Sequence, residues 1–226
     1  MSYKKLFMLF LVLLTASRLT GQMTSSDVGG INILIPSPIS TLQEIGSENY
    51  SKLDLLVPSS NRLIAAFLEE SAKQKVVNGD SYDLYTYSLV EVSRDLENTD
   101  YTEQAFNETR DQLKSTFGDI LNSSFKQVQD EIDQKLKKLD MQSIKIGETR
   151  QLGILFSKSN AFSFGLIMAV QSGNETRYVV LGGILLQLKH RLVYAYLFTR
   201  YTNEESIKWI GTSCEAWADA LLNANK

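Results

Sequence analysis

Three groups of residues in this chain have side chains that could do chemistry. His190 is the single histidine and Cys214 the single cysteine, so a serine or cysteine nucleophile with an imidazole base would have to recruit His190. Glu69, Glu70 and Glu91 could approach one another across a hairpin as the paired carboxylates of a glycosidase. Each group also has a plainer reading. Lys189-His190 has the length of a hairpin turn, where an exposed ring is expected. Cys214 falls in mid-helix on an apolar stripe, beyond the first turn where a helix dipole lowers a thiol pKa. Carboxylates at strand ends are ordinarily solvated. There is no G-x-S-x-G. Gly29-Gly30 and Gly182-Gly183 lack the spacing and lysine of a phosphate loop or a dinucleotide site. A lone histidine with no Cys or His beside it cannot build a His-rich metal centre. The sequence therefore implies no catalytic residue, no metal and no cofactor.

The tyrosines offer binding rather than catalysis. Tyr82, Tyr85, Tyr87, Tyr194, Tyr196 and Tyr201 concentrate on two strand-like runs. Tyrosine combines apolar area with a hydroxyl, which suits a groove, although it also simply favours strands. Tyr85, Tyr87, Tyr194 and Tyr196 are the candidate ligand-binding residues.

The elements that would position these residues begin after a targeting signal. Lys4-Lys5 precede the unbroken apolar run Leu6–Leu14, followed by small residues. That is the layout of a secretory signal, with cleavage after Ser17 or Gly21. The run is far short of the ~20 apolar residues a membrane span needs. Residues 1–21 are thus expected as a signal peptide, placing the mature protein in the periplasm or outside the cell with no membrane insertion after cleavage. Losing Lys4, Lys5 and Arg18 takes the net charge from −3 to −6. An acidic chain without a basic cluster is a poor ligand for nucleic acid or anionic lipid. One cysteine allows no internal disulfide, so the core must hold the fold unaided. The functional alternative for Cys214 is an intermolecular bridge or a reactive thiol; the structural one is a small buried apolar residue. Of four N-x-S/T tripeptides, at Asn49, Asn107, Asn122 and Asn174, two fall within a helical pattern, and none is read as a glycosylation site.

Residues 22–51 read as a leader or linker, with Met23–Asp27 polar, Ile31–Ile35 a short strand and Ile39–Leu42 a helical turn. Residues 52–226 read as one domain. Arg62–Glu69 and Tyr82–Val92 read as strands joined through an Asn78-Gly79-Asp80 turn, the second apolar on both sides and so central. Asp100-Tyr101-Thr102-Glu103 has capping-box spacing. After it Phe106, Leu113, Phe117, Ile120, Leu121, Val128, Ile132, Leu136 and Leu139 recur at helical steps, giving one helix of about 35 residues or two joined near Gly118–Ser124. Gln151–Ser157, Ala161–Gln171, Arg177–Leu188 and Arg191–Tyr201 are strand-length runs separated by short turns, which makes an antiparallel meander. Gly182-Gly183 marks a bulge or a close approach to the backbone. A second capping box at Thr202–Glu205 opens a helix with Ile207, Ile210, Cys214, Trp217 and Leu221 on one stripe. The fold class is α+β: an antiparallel sheet of about six strands, packed by a long central helix and a C-terminal helix on its two faces.

Two segments carry a resemblance. Leu56-Val57-Pro58-Ser59-Ser60-Asn61-Arg62-Leu63-Ile64-Ala65-Ala66-Phe67 is one. Leu192-Val193-Tyr194-Ala195-Tyr196-Leu197 through Tyr201, with Trp209 and Trp217–Asn225, is the other. Together they resemble uncharacterised exported bacterial proteins, and the element order from residue 50 onward is similar to the PsbP/Mog1-like α/β/α sandwich. The shared features are packing motifs, and no catalytic residue is carried over. The resemblance implies a non-enzymatic accessory or binding protein with a protein partner. The alternatives are a small-ligand carrier with a tyrosine-lined groove and a hydrolase built on Glu69 and Glu91.

Overall fold

The computed structural model describes residues 22–80, 83–138, 144–172 and 174–226. The expected signal peptide 1–21, Tyr82 and Leu139 lie outside them, and Phe117, Ile120, Leu121, Val128 and Leu136 lie outside those with described side chains. Nine strands run β1 (Met23–Val28), β2 (Ile31–Pro36), β3 (Leu42–Glu44), β4 (Asn61–Glu69), β5 (Tyr87–Ser93), β6 (Ile144–Ser157), β7 (Ala161–Ser172), β8 (Glu175–Leu188) and β9 (Arg191–Arg200). The helices are a 3₁₀ helix (Ser47–Leu56), α1 (Glu70–Asn78), α2 (Glu103–Lys138) and α3 (Glu204–Ala224). β3 to β9 form one antiparallel sheet in the order β3-β4-β5-β9-β8-β7-β6, and β1 and β2 pair as a separate hairpin. The α+β class, the C-terminal meander β6 to β9 and the central place of β5 agree with the sequence reading.

Strand alternation assigns the core to two sides of this sheet. On one, Val180, Ile184, Val193, Ala195 and Leu197 pack with Ile210, Cys214 and Trp217 of α3 and with Val28, Ile33 and Ile35 of the hairpin. On the other, Leu63, Ala66, Leu68 and Leu89 meet Leu53 of the 3₁₀ helix and Ala72 and Val76 of α1. Further along that side, Phe162, Leu185 and Leu192 receive Phe106 of α2. Gly182 and Gly183 show no register shift in either ladder. A β-carbon on Gly182 would lie 2.3 Å from Cys214 Sγ, and one on Gly183 would meet the Phe164 ring. Close approach, not a bulge, explains the pair.

Several expectations are corrected. Residues 22–51 are not a leader: Val28, Ile33 and Ile35 are fully buried. Trp217 Nε1 donates to Pro36 O at 2.8 Å, and Asn225 bonds both N–H and C=O of Leu34. The apolar alternation of β2 has a partner only because α3 returns to it. Leu42–Glu44 extends the sheet instead of turning as a helix. Asn78-Gly79 is no hairpin turn. It ends α1, which the sequence reading missed: Gly79 is left-handed at φ 77°, its N–H reaches Val76 O and that of Asp80 reaches Lys75 O, the geometry of a Schellman cap. β5 therefore starts at Tyr87, and Tyr85 lies outside it. α2 is one unbroken helix of 36 residues, capped by Thr102 Oγ1 rather than by Asp100. α3 is capped by Asn203, whose side chain accepts from Glu205 N.

Candidate functional site

The alternation of β9 sends Arg200, Phe198, Tyr196, Tyr194 and Leu192 to the α2 side of the sheet, and that of β5 sends Tyr87, Leu89 and Glu91 there too. The register places Tyr87 opposite Phe198 and Glu91 opposite Tyr194. Tyr87 and Phe198 stack with ring centroids 4.3 Å apart, and Tyr196 tilts against Phe198 at 6.4 Å. Three of the four predicted tyrosines, Tyr87, Tyr194 and Tyr196, are thus brought into one aromatic strip. All three are half-buried. Burial raises the Tyr194 and Tyr196 phenols above their ordinary pKa, with the Glu91 charge adding to it.

Tyr85 stands apart, at the outer end of the strip and 40% exposed. Arg177 lies over its ring at 5.7 Å and Arg200 at 5.9 Å, within cation–π range. Arg177 is also paired with Asp83 at 2.7 Å and Glu175 at 2.8 Å. Arg200 has no such pair among the described residues.

The strip's inner end holds a residue the sequence reading placed in solvent. Glu91 is 1% exposed. Burial pushes its carboxyl up to about 7, against the opposing pull of an Asn61 hydrogen bond and the Lys135 charge. Asn61 Nδ2 donates to Oε2 at 2.8 Å. Lys135 itself is held on the carbonyls of Asp54 and Val57 at 2.7 and 2.6 Å. Its helix is anchored at that end also by Glu131, which accepts from Ser59 N, and by Gln129, which accepts from Ile146 N. A signal for this burial existed in the sequence: Glu91 shares the side of the strand that carries Tyr87 and Leu89.

The other candidates do not assemble. Glu69 pairs with Leu42 while Glu91 pairs with Leu63, six residues and about 20 Å along β4. That separation overturns the paired-carboxylate hydrolase. His190 sits in the β8–β9 turn with φ 63° after Lys189 at 47°, its exposed ring 3.4 Å from Asp100. Cys214 is buried against Gly182, and burial pushes its thiol up to about 12, which removes it from nucleophilic chemistry at neutral pH. Among the described residues, no three of His, Cys, Asp and Glu gather to hold a metal, and no helix is long and apolar enough to cross a membrane.

No protein-family model matches the chain, and no curated protein matches it in sequence. Among solved structures, a point mutant of the protein Mog1 is similar at TM-score 0.33 and 12% identity, over 90% of this chain and 93% of that one. The Ran-binding protein Mog1p of Saccharomyces cerevisiae is similar at TM-score 0.28 and 11% identity, over 90% of each chain. Scores this low carry no argument about function, and the α+β assignment stands on the strand order itself.

Proposed function

We propose that this chain is an exported, non-enzymatic binding module that engages a protein partner through the outer end of its aromatic strip. One observation carries the reading: an exposed tyrosine, Tyr85, whose ring lies within cation–π reach of two arginines. Tyrosine and arginine supply most of the energy at protein interfaces, because each offers large contact area together with directional hydrogen bonds. Arg177 is already fixed by its two carboxylates, so presenting this surface costs little side-chain entropy. The decisive experiment is mild crosslinking of the tagged protein in its own cell envelope, followed by affinity purification and mass spectrometry. The wild type is expected to bring one stoichiometric partner. The double variant Tyr85→Ala, Arg200→Ala is expected to lose it while melting like the wild type. A partner retained at full yield by that variant would move the interface elsewhere.

The inner end of the strip favours a second reading, a small-ligand carrier. Glu91, Tyr194 and Tyr196 lie there on one side of the sheet, near enough for the Glu91 charge to add to the raised pKa of both phenols.

A further inference from the structure

A buried carboxylate ordinarily has a cation or several hydrogen-bond donors around it, because its charge has been taken out of water. Among the described residues Glu91 has one donor, Asn61 Nδ2. The ammonium nearest in effect, that of Lys135, is committed to two backbone carbonyls, and among the described residues no ion pair reaches Glu91. Across the ladder stands Tyr194, followed two residues on by Tyr196. Neither hydroxyl has a hydrogen-bond partner among the described residues, and Phe198 and Tyr87 continue the wall. The groups facing Glu91 are then Asn61 from β4, Tyr194 and Tyr196 from β9 and Lys135 from α2. Among the described residues, this is a carboxylate short of counter-charge at the end of a row of aromatic faces. Aromatic faces attract cations, and rings around an acid are the setting in which ammonium groups are recognised.

We propose that the inner end of the strip binds a small organic cation, its ammonium group paired with Glu91 and its apolar body laid along Tyr194, Tyr196 and Phe198. The inference rests on the carrier reading and is independent of the protein-docking surface at Tyr85. Anions are disfavoured by the same carboxylate. A hard metal ion would demand more oxygen ligands than one carboxylate supplies.

The test is calorimetric titration of the purified protein with phenethylammonium and choline, with 2-phenylethanol as the neutral analogue. The expected result is saturable binding of at least one ammonium probe and at least tenfold weaker binding of the alcohol. Affinity for the ammonium should rise with pH through about 7, as Glu91 ionises. Glu91→Gln should weaken it at least tenfold, and Tyr196→Leu several-fold, which keeps the test open if the first variant misfolds. Absence of saturable ammonium binding, equal binding of the alcohol or undiminished binding by folded Glu91→Gln would each overturn the proposal. Mass spectrometry of small molecules that copurify separates the two levels. A neutral or anionic ligand displaced by Tyr196→Leu keeps the carrier reading and overturns the cation. No ligand and no probe binding overturn both.

Discussion

Burying the Glu91 carboxyl holds its pKa at about 7, against about 4.3 in an unfolded chain. Between those values the folded state binds the proton and the unfolded state has lost it. The sign follows from linkage: stability falls as pH rises from about 4.3 through about 7, and the full cost is present above that. Glu91→Gln keeps an oxygen for Asn61 and removes the charge. Urea denaturation is expected to show the variant roughly 3 kcal/mol more stable than wild type at pH 8 and nearly equal at pH 4.5. Equal midpoints at both pH values would place the carboxyl in water. Cys214 shows the opposite economy. Its thiol has no charge to lose near neutral pH, and the missing β-carbon of Gly182 makes room for its sulfur.

Among the elements, α3 and the hairpin β1–β2 depend on each other. The stripe Ile210, Cys214, Trp217 and Leu221 is buried against β8 and the hairpin, and the Trp217 indole closes the joint through Pro36 O. Trp217→Ala is expected to cost about 3–5 kcal/mol, the range for emptying a fully buried large aromatic site. Trp217→Phe, which keeps most of the area and drops the hydrogen bond, is expected to cost about 1–3 kcal/mol, the cost of an unpaired buried acceptor. Chemical denaturation measures both, and an unchanged midpoint for the alanine variant would detach α3 from the core. Limited proteolysis of Trp217→Ala should cut first between β2 and β3, where the joint has opened. α2 is built differently. Its start is seated by Phe106 on Leu185 and Leu192, and its far end carries polar ties from Gln129, Glu131 and Lys135 to β6, to the 3₁₀ helix and to the segment after it. These ties lie beside the inner end of the strip.

For the whole molecule, Gln22 is tied into the fold: its side chain accepts from Glu44 N and its carbonyl from Ser37 N. Cleavage after Gly21 would leave that residue as the mature terminus with both ties intact. On the export proposal, N-terminal sequencing of the mature protein is expected to begin at Gln22. A start at Met1 would remove the export proposal, and a start at Arg18 would select the cleavage after Ser17. Much of this architecture was legible locally. Period-two runs with two- to four-residue turns dictate the meander, because so short a connection allows only an antiparallel neighbour. Helical spacing put Cys214 and Trp217 on a buried stripe, and strand alternation put Tyr87, Tyr194 and Tyr196 on common sides. Each of these follows from residues close together in the chain. Three things were decided by tertiary structure alone. The hairpin at the beginning of the domain packs on the helix at its end, some 180 residues away. α1 replaced a hairpin at Asn78-Gly79, since the same dipeptide ends a helix or turns a strand according to what precedes it. Glu91 lost its water because β4, β9 and α2 meet around it, and the charge environment of a side chain is set by neighbours in space that no local pattern names.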